Sequence, residues 1–145
     1  MLKDNIAIGT DIVEIERFRS LDVESPFFSR VFSENEIAYC LSHSDPAPHF
    51  AANFAGKEAV VKAMNSKCRI TVNLVELLRS EDGAPYVVIN SDCDYDVHVS
   101  LSHSSTHAVA VALVVHQSYL SNMSEVQGIL EQTVKQILPE GEVHD

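Results

Sequence analysis

Between Asp45-Pro46 and Met64 the chain reads DPAPHFAANFAGKEAVVKAM, and no other segment constrains the fold as strongly. An acidic residue followed by proline is a helix start signal. The spacing predicts one helix of roughly 19 residues, about 28 Å long. Phe50, Phe54, Lys57, Val61 and Met64 fall along one stripe, where the stem of Lys57 can cover apolar surface. Ala51, Ala55, Glu58 and Lys62 fall along another, at i, i+4, i+7 and i+11. This second stripe sets a carboxylate and an ammonium one turn apart, bedded in alanines too small to keep another group away.

The other segments supply strands and short helices. Asn5–Ile12 reads as a strand, with a turn into helix over Ile12–Phe18. Ser25-Pro26 opens a short helical piece, and Ser33 with Glu36 forms a capping box ahead of about two helical turns. Val72–Ser80, a turn at Asp82-Gly83 and Tyr86–Asn90 make a hairpin. Val97, Val99 and Leu101 alternate before Ser102-His103-Ser104-Ser105; Val109, Val111, Leu113 and Val115 alternate after it, with alanines between. Past Tyr119 the apolar residues Val126, Ile129, Leu130, Val134, Ile137 and Leu138 take the spacing of an amphipathic helix, ended by Pro139. The expected architecture is α+β: an antiparallel sheet packed on a long helix, with a domain over residues 1–117 and a C-terminal helical extension over 118–145.

Charge and composition exclude several classes. With 145 residues the chain is one ordinary domain. A net charge of −11 argues against a general nucleic-acid binder, which needs a basic face to displace counterions. No apolar run approaches the roughly 20 residues that span a bilayer, and MLKDNIAIGTDIVE shows no signal-peptide cleavage pattern. Cys40, Cys68 and Cys93 are odd in number and unrelated in spacing, which predicts neither a disulfide framework nor a zinc site and points to a reduced cytoplasm. Against the acidic background, Arg17, Arg19, Arg30, Lys57, Lys62, Lys67 and Arg69 form a basic stretch able to attract an anionic ligand or an acidic protein.

Three positions could carry chemistry, and each keeps a second reading. Glu58 offers hard oxygens suited to Mg²⁺, and Lys62 suits a phosphate on that ion; the two residues equally make an ordinary i,i+4 surface pair. Asp11, at the end of the first strand, caps the next element or supplies a second metal oxygen. His103 is a satisfied loop residue or a phosphate contact and proton carrier. Ser102 beside His103 is not a hydrolase arrangement, because neither a G-x-S-x-G elbow nor a glycine-rich phosphate loop is present.

Together these residues form a pattern. G-x-D-I-V-E-I-x-R (Gly9 to Arg17), F-A-x-x-F-A-x-K-E-A-x-x-K-A (Phe50 to Ala63) and V-S-L-S-H (Val99 to His103) occur in that order over roughly residues 4–115. The chain resembles the holo-acyl-carrier-protein synthase type of 4′-phosphopantetheinyl transferase. The resemblance implies transfer of 4′-phosphopantetheine from coenzyme A to a serine of an apo acyl carrier protein, leaving 3′,5′-ADP. It implies that Asp11 and Glu58 hold Mg²⁺ with the coenzyme A pyrophosphate, and that Lys62 contacts phosphate and helps the leaving group depart. It places His103 near the coenzyme A phosphates and Arg17, with Arg19 beside it, at the acidic carrier. It further implies a homotrimer with active sites at subunit interfaces. For the serine proton, Glu58 is the first choice of base and His103 the second.

The sequence departs from this pattern at defined places. Asn53 stands where the family usually has an arginine expected to meet nucleotide phosphates, and Lys57 is a candidate substitute. The family's G-K-P turn reads Gly83-Ala84-Pro85, and the loop after Ala63 lacks glycine. These departures leave two hypotheses: a transferase serving a fatty acid or specialised polyketide-type carrier, or a degenerate relative that binds carrier or coenzyme A without turnover. The tail past His116 lies outside the resemblance; its apolar stripe packs on the protein's own domain or a sister subunit, or serves as a partner-binding helix.

Overall fold

The computed structural model describes residues 5–65, 67–119, 131–133 and 135–136. Strand β1 (Ile6–Glu14) opens the fold and pairs antiparallel with the last strand, β5 (His107–His116), from Ile6↔Val115 to Glu14↔His107. This register carries β1 two residues beyond Ile12. The helix expected over Ile12–Phe18 is therefore only one turn, α1 (Glu16–Arg19), begun where the Ile15 N–H donates to the Thr106 carbonyl at 2.9 Å. Helices α2 (Pro26–Val31) and α3 (Glu34–Leu41) follow, then α4 (Ala47–Met64). The Ser33–Glu36 capping box is formed in both directions.

Asp45 does not cap α4. Pro46 occupies that position, and the Asp45 carboxylate lies 2.7 Å from Arg19 Nη2. The expected strand from Val72 begins later, because Val72–Leu74 closes into a 3₁₀ turn before β2 (Val75–Arg79). β2 pairs with β3 (Pro85–Ile89) in a two-stranded sheet, and the connecting turn uses Gly83 at φ 89°, a conformation that favours glycine. β4 (Tyr95–His103) pairs with β5, giving the main sheet the order β1-β5-β4.

Alanine decides how α4 meets this sheet. Ala51, Ala55, Ala59 and Ala63 of α4, and Ala108, Ala110 and Ala112 of β5, are all essentially without solvent contact. Small side chains on both surfaces let the helix and strand backbones approach closely. At one end of α4 all six phenylalanines of the chain, Phe18, Phe27, Phe28, Phe32, Phe50 and Phe54, form one cluster that fastens α1 and α2 to the helix. The Phe28–Phe50 pair, edge-on at 4.8 Å, is its tightest contact.

The cysteine expectation is overturned. Cys68, past the end of α4, and Cys93, before β4, are joined in a disulfide across 25 residues, while Cys40 is free and buried. Spacing gave no sign of this pair because the fold, not the local sequence, brings the two loops together. The extension at 118–145, with its amphipathic helix over 126–138, lies largely outside the described residues; those described, 118–119, 131–133 and 135–136, are helical, and 131–133 and 135–136 are exposed.

Candidate active site

The first strand reaches α4 because residue 9 is glycine. A Cβ there would run into the Ala59 carbonyl oxygen and stand 2.8 Å from Ala63 N, so any side chain would push β1 away from the helix. Strand periodicity puts Asp11, two residues on, on the same helix-facing side. There the Lys62 ammonium donates to Asp11 Oδ1 at 2.8 Å and to the Thr10 carbonyl at 3.0 Å. Lys62 is half exposed, and its ammonium is held above the usual lysine range, first by the hydrogen bond to Asp11. Lys62 thus spans two elements, whereas the sequence offered it only Glu58, one turn away.

Asp11 and Glu58 line one open cleft of about 540 Å³, together with Glu14, Arg17 and Phe54. Arg17 is carried in by aromatic contact: its guanidinium lies 5.1 Å from the Phe54 ring centre, 5.8 Å from Phe27 and 5.9 Å from Phe18. Arg19, two residues on, is instead tied into surface pairs with Glu16 at 3.1 Å and Asp45 at 2.7 Å.

Three carboxylates line this cleft, Asp11, Glu14 and Glu58, and the pair expected from the sequence to hold a metal is Asp11 with Glu58. Among the described residues no group of three or more His, Cys, Asp or Glu side chains is placed to hold a metal ion. That suits Mg²⁺, which uses one or two carboxylates and completes its shell with water and substrate phosphate, and does not suit a dedicated metal cage.

Lys57 does not reach the cleft. Its ammonium is buried against Glu36 Oε1 at 2.8 Å and the Val31 carbonyl, 5.3 Å from the Phe32 ring centre. Burial lowers the Lys57 ammonium and raises the Glu36 carboxyl from their ordinary ranges. Lys57 is therefore a structural partner of the α3 capping box and is not available to a phosphate in this conformation.

Asn53 is also fully buried. Its Oδ1 accepts from Arg79 Nη2 at 2.9 Å, and its Nδ2 lies 3.7 Å from Cys40 Sγ, a thiol that burial pushes up to about 12. Arg79 also lies over the Tyr39 ring, 4.6 Å from its centre. With His49, Ser102 and His103 it lines a second cleft of about 290 Å³. Residues 49 and 52 of α4 face this cleft, on the side of the helix opposite residues 54 and 58.

Within one protomer, then, the structure gathers Asp11, Glu58, Lys62 and Arg17, and places His103 apart from them, across α4. Arg79 and His49 carried no recognisable motif; Arg79 enters only through the fold of the β2–β3 hairpin.

Residues 7–114 match the model of the 4′-phosphopantetheinyl transferase superfamily, and the chain belongs to that superfamily. It is similar to two proteins named holo-[acyl-carrier-protein] synthase. The one from Thermodesulfovibrio yellowstonii is 38% identical over 109 residues, spanning 74% of this chain and 96% of the relative. The one from Clostridium botulinum is 41% identical over 117 residues, spanning 74% and 94%. The fold is similar to the crystal structure of a holo-(acyl-carrier-protein) synthase from Bacillus anthracis in complex with CoA (3′,5′-ADP). There the TM-score is 0.63 and the identity 28%, covering 76% of this chain and 96% of that one.

Proposed function

We propose that this protein is a Mg²⁺-dependent holo-acyl-carrier-protein synthase, transferring 4′-phosphopantetheine from coenzyme A to a serine of an apo acyl carrier protein and releasing 3′,5′-ADP. The observation that carries this reading is the meeting of Asp11 and Glu58 in one cleft, with Lys62 hydrogen-bonded to Asp11. These residues come from the first strand and the long helix, and the glycine at position 9 allows their approach.

Attack of the serine hydroxyl on the phosphorus that bears pantetheine forms one P–O bond and breaks the bond to the departing 3′,5′-ADP. Charge develops on the bridging and non-bridging oxygens. Asp11 and Glu58 would hold Mg²⁺, which when bound supplies charge neutralisation to the pyrophosphate. Lys62, already protonated and at the cleft, moves its ammonium from Asp11 to the leaving phosphate. Glu58 accepts the serine proton, directly or through a water. Arg17, fixed over Phe54, presents a cation at the mouth where an acidic carrier docks.

The active assembly is a homotrimer. Its support in this chain is the sheet face turned away from α4, where Ile8 and Ile12 are about two-thirds exposed and Val109 and Val111 about two-fifths. A face so apolar on neighbouring strands favours contact with other copies. The carrier belongs to fatty acid synthesis or a specialised pathway of the same chemistry. No helix among the described residues is long and apolar enough to cross a membrane.

The test is incubation of the protein with Mg²⁺, coenzyme A and several apo carriers, followed by intact-mass measurement of the carrier. A gain of one phosphopantetheine on at least one carrier is expected. No gain on any carrier overturns the reading in favour of a binding protein without turnover.

A further inference from the structure

We propose that Cys68 and Cys93 are a reversible thiol–disulfide couple, which a dithiol reductant opens by attack on Cys93 Sγ with Cys68 leaving as the thiolate. Opening it loosens the end of α4 that carries Lys62. The couple stands on the geometry alone; its effect on turnover rests on the reading above.

The bond is a covalent tie from the end of α4 to the sheets. On one side, the Cys93 loop is fixed at both ends: the Asn90 N–H donates to the Leu74 carbonyl at 2.8 Å, and the Gln117 N–H to the Asp94 carbonyl at 2.9 Å. Leu74 leads into β2 and Gln117 follows β5, so this loop moves with both sheets. On the other side, the Cys68 loop folds back on the helix, where the Lys67 and Cys68 N–H groups both donate to the Met64 carbonyl at 2.7 Å. Lys62 stands in that last helical turn, half exposed, and reaches Asp11 and the Thr10 carbonyl on β1. Helix ends open locally at little cost unless something holds them. Here the disulfide fixes the distance between the turn that carries Lys62 and the sheet that carries Asp11.

The two loops are unlike in charge. Lys67 and Arg69 flank Cys68, whereas Asp92 and Asp94 flank Cys93. Opposite charges draw the loops together before any bond forms. They also decide which sulfur leaves. Exchange favours expulsion of the thiolate whose charge is better stabilised, and a sulfur between two cations holds that charge better than one between two carboxylates. Access agrees with charge. Cys93 lines an open cleft of about 270 Å³ with Ser91, Tyr95 and His98, through which an attacking thiolate reaches its sulfur.

The first thiolate of the reductant bonds to Cys93 Sγ as the Cys68–Cys93 bond breaks, and Cys68 keeps the electron pair. The second thiolate then displaces Cys93, and both protein sulfurs take up a proton. Two electrons and two protons thus pass from dithiol to protein, and a disulfide oxidant such as glutathione disulfide returns them.

The experiment compares the full chain oxidised with glutathione disulfide and reduced with dithiothreitol, both without denaturant. The reduced protein should accept two alkyl groups that the oxidised one does not, while buried Cys40 stays unmodified, and reoxidation should reverse this. A CxxC reductant whose second cysteine is replaced by serine should be trapped on Cys93, as located by peptide mass. On reduction, amide hydrogen exchange over Val61–Met64 should rise about tenfold or more, and the melting temperature should fall by about 5–15 °C. Turnover should lose about three- to tenfold in kcat, with KM for the apo carrier within about twofold, because Arg17 lies over Phe54, about two turns before Lys62. Cys68→Ser with Cys93→Ser should match the reduced wild type with or without oxidant; its melting curve establishes that it is folded.

A disulfide that never forms under oxidant, or that the dithiol does not open in the folded protein, overturns the couple. An adduct on Cys68 overturns the direction of attack. Equal exchange and equal kcat in the two states overturn the link to Lys62. Exchange over Val61–Met64 that follows the redox state, with no turnover in either state, keeps the couple and overturns the transferase.

Discussion

Lys62 Nζ stands 2.8 Å from Asp11 Oδ1, joining residues 51 positions apart, and Asp11 in turn shares a cleft with Glu58. An ammonium on a proposed metal ligand has two consequences: it neutralises a carboxylate while no cation is bound, and it must yield when one arrives.

Lys62→Met should therefore separate binding from turnover. Without its competing charge, the Asp11–Glu58 pair should bind Mg²⁺ several-fold more tightly in the absence of donor. Loss of the ammonium at the leaving phosphate should lower kcat about 100-fold. Titration calorimetry with Mg²⁺ and a single-turnover transfer assay check the two halves. Weaker Mg²⁺ binding in the variant would mean that Lys62 supports the site instead of competing for it.

Gly9→Ala should fail through packing. The added methyl meets the backbone of α4 at Ala59 and Ala63, which cannot swing aside as a side chain would. A cost of about 3 kcal/mol or more is expected, read as a lowered urea midpoint. Activity should fall in step with the displacement of Asp11, and raising the Mg²⁺ concentration should recover part of it.

Lys57→Met should unfold the protein or destabilise it by about 3–5 kcal/mol, because Glu36 keeps a buried carboxylate without its partner. Lys57→Met with Glu36→Gln should recover most of that loss. Chemical denaturation of the single and double variants measures the coupling. If Lys57 instead contacts coenzyme A, the double variant will be stable and still show a raised KM.

His49 should make the folded state sensitive to mild acid. Burial, then the neighbouring His43, His103 and Arg79, holds its imidazole below the ordinary value of 6.5. The unfolded chain therefore binds a proton at a higher pH than the folded one. Stability should be fully present above 6.5 and decline as the pH falls through 6.5 toward the lowered value. Melting temperatures between pH 8 and pH 5.5 should show this decline in wild type and less of it in His49→Gln.

The legible parts of the fold were those in which one segment carries its own signal. The α4 pattern, the Ser33–Glu36 capping box and the alternation of Val109 to Val115 all appear as elements where the spacing placed them. What the sequence hid was partnership across distance. It set Lys57 on an apolar stripe, which is where it lies, but Glu36 already had a role as a cap, so nothing marked it as the buried counter-ion 21 residues away. Cys68 and Cys93 are paired by two loops whose meeting depends on the whole main sheet. Glu58 and Lys62 were read as partners by helical spacing; the hydrogen-bonded partner of Lys62 is instead Asp11, which only the β1–β5 register and the bare Gly9 bring within reach. Asp11, Glu58 and Lys62 stood out as candidates from residue type and spacing, and the resemblance gave them and Arg17 their roles; the meeting of Asp11, Glu58 and Arg17 at one cleft, with Lys62 on Asp11, follows from packing.

The most direct measurement is the mass of an apo carrier after incubation with coenzyme A and Mg²⁺, in parallel with wild type, Asp11→Asn and Glu58→Gln. The account predicts a phosphopantetheine gain with wild type and none with either variant, although both remain folded by circular dichroism. A full gain with Asp11→Asn or Glu58→Gln would contradict it.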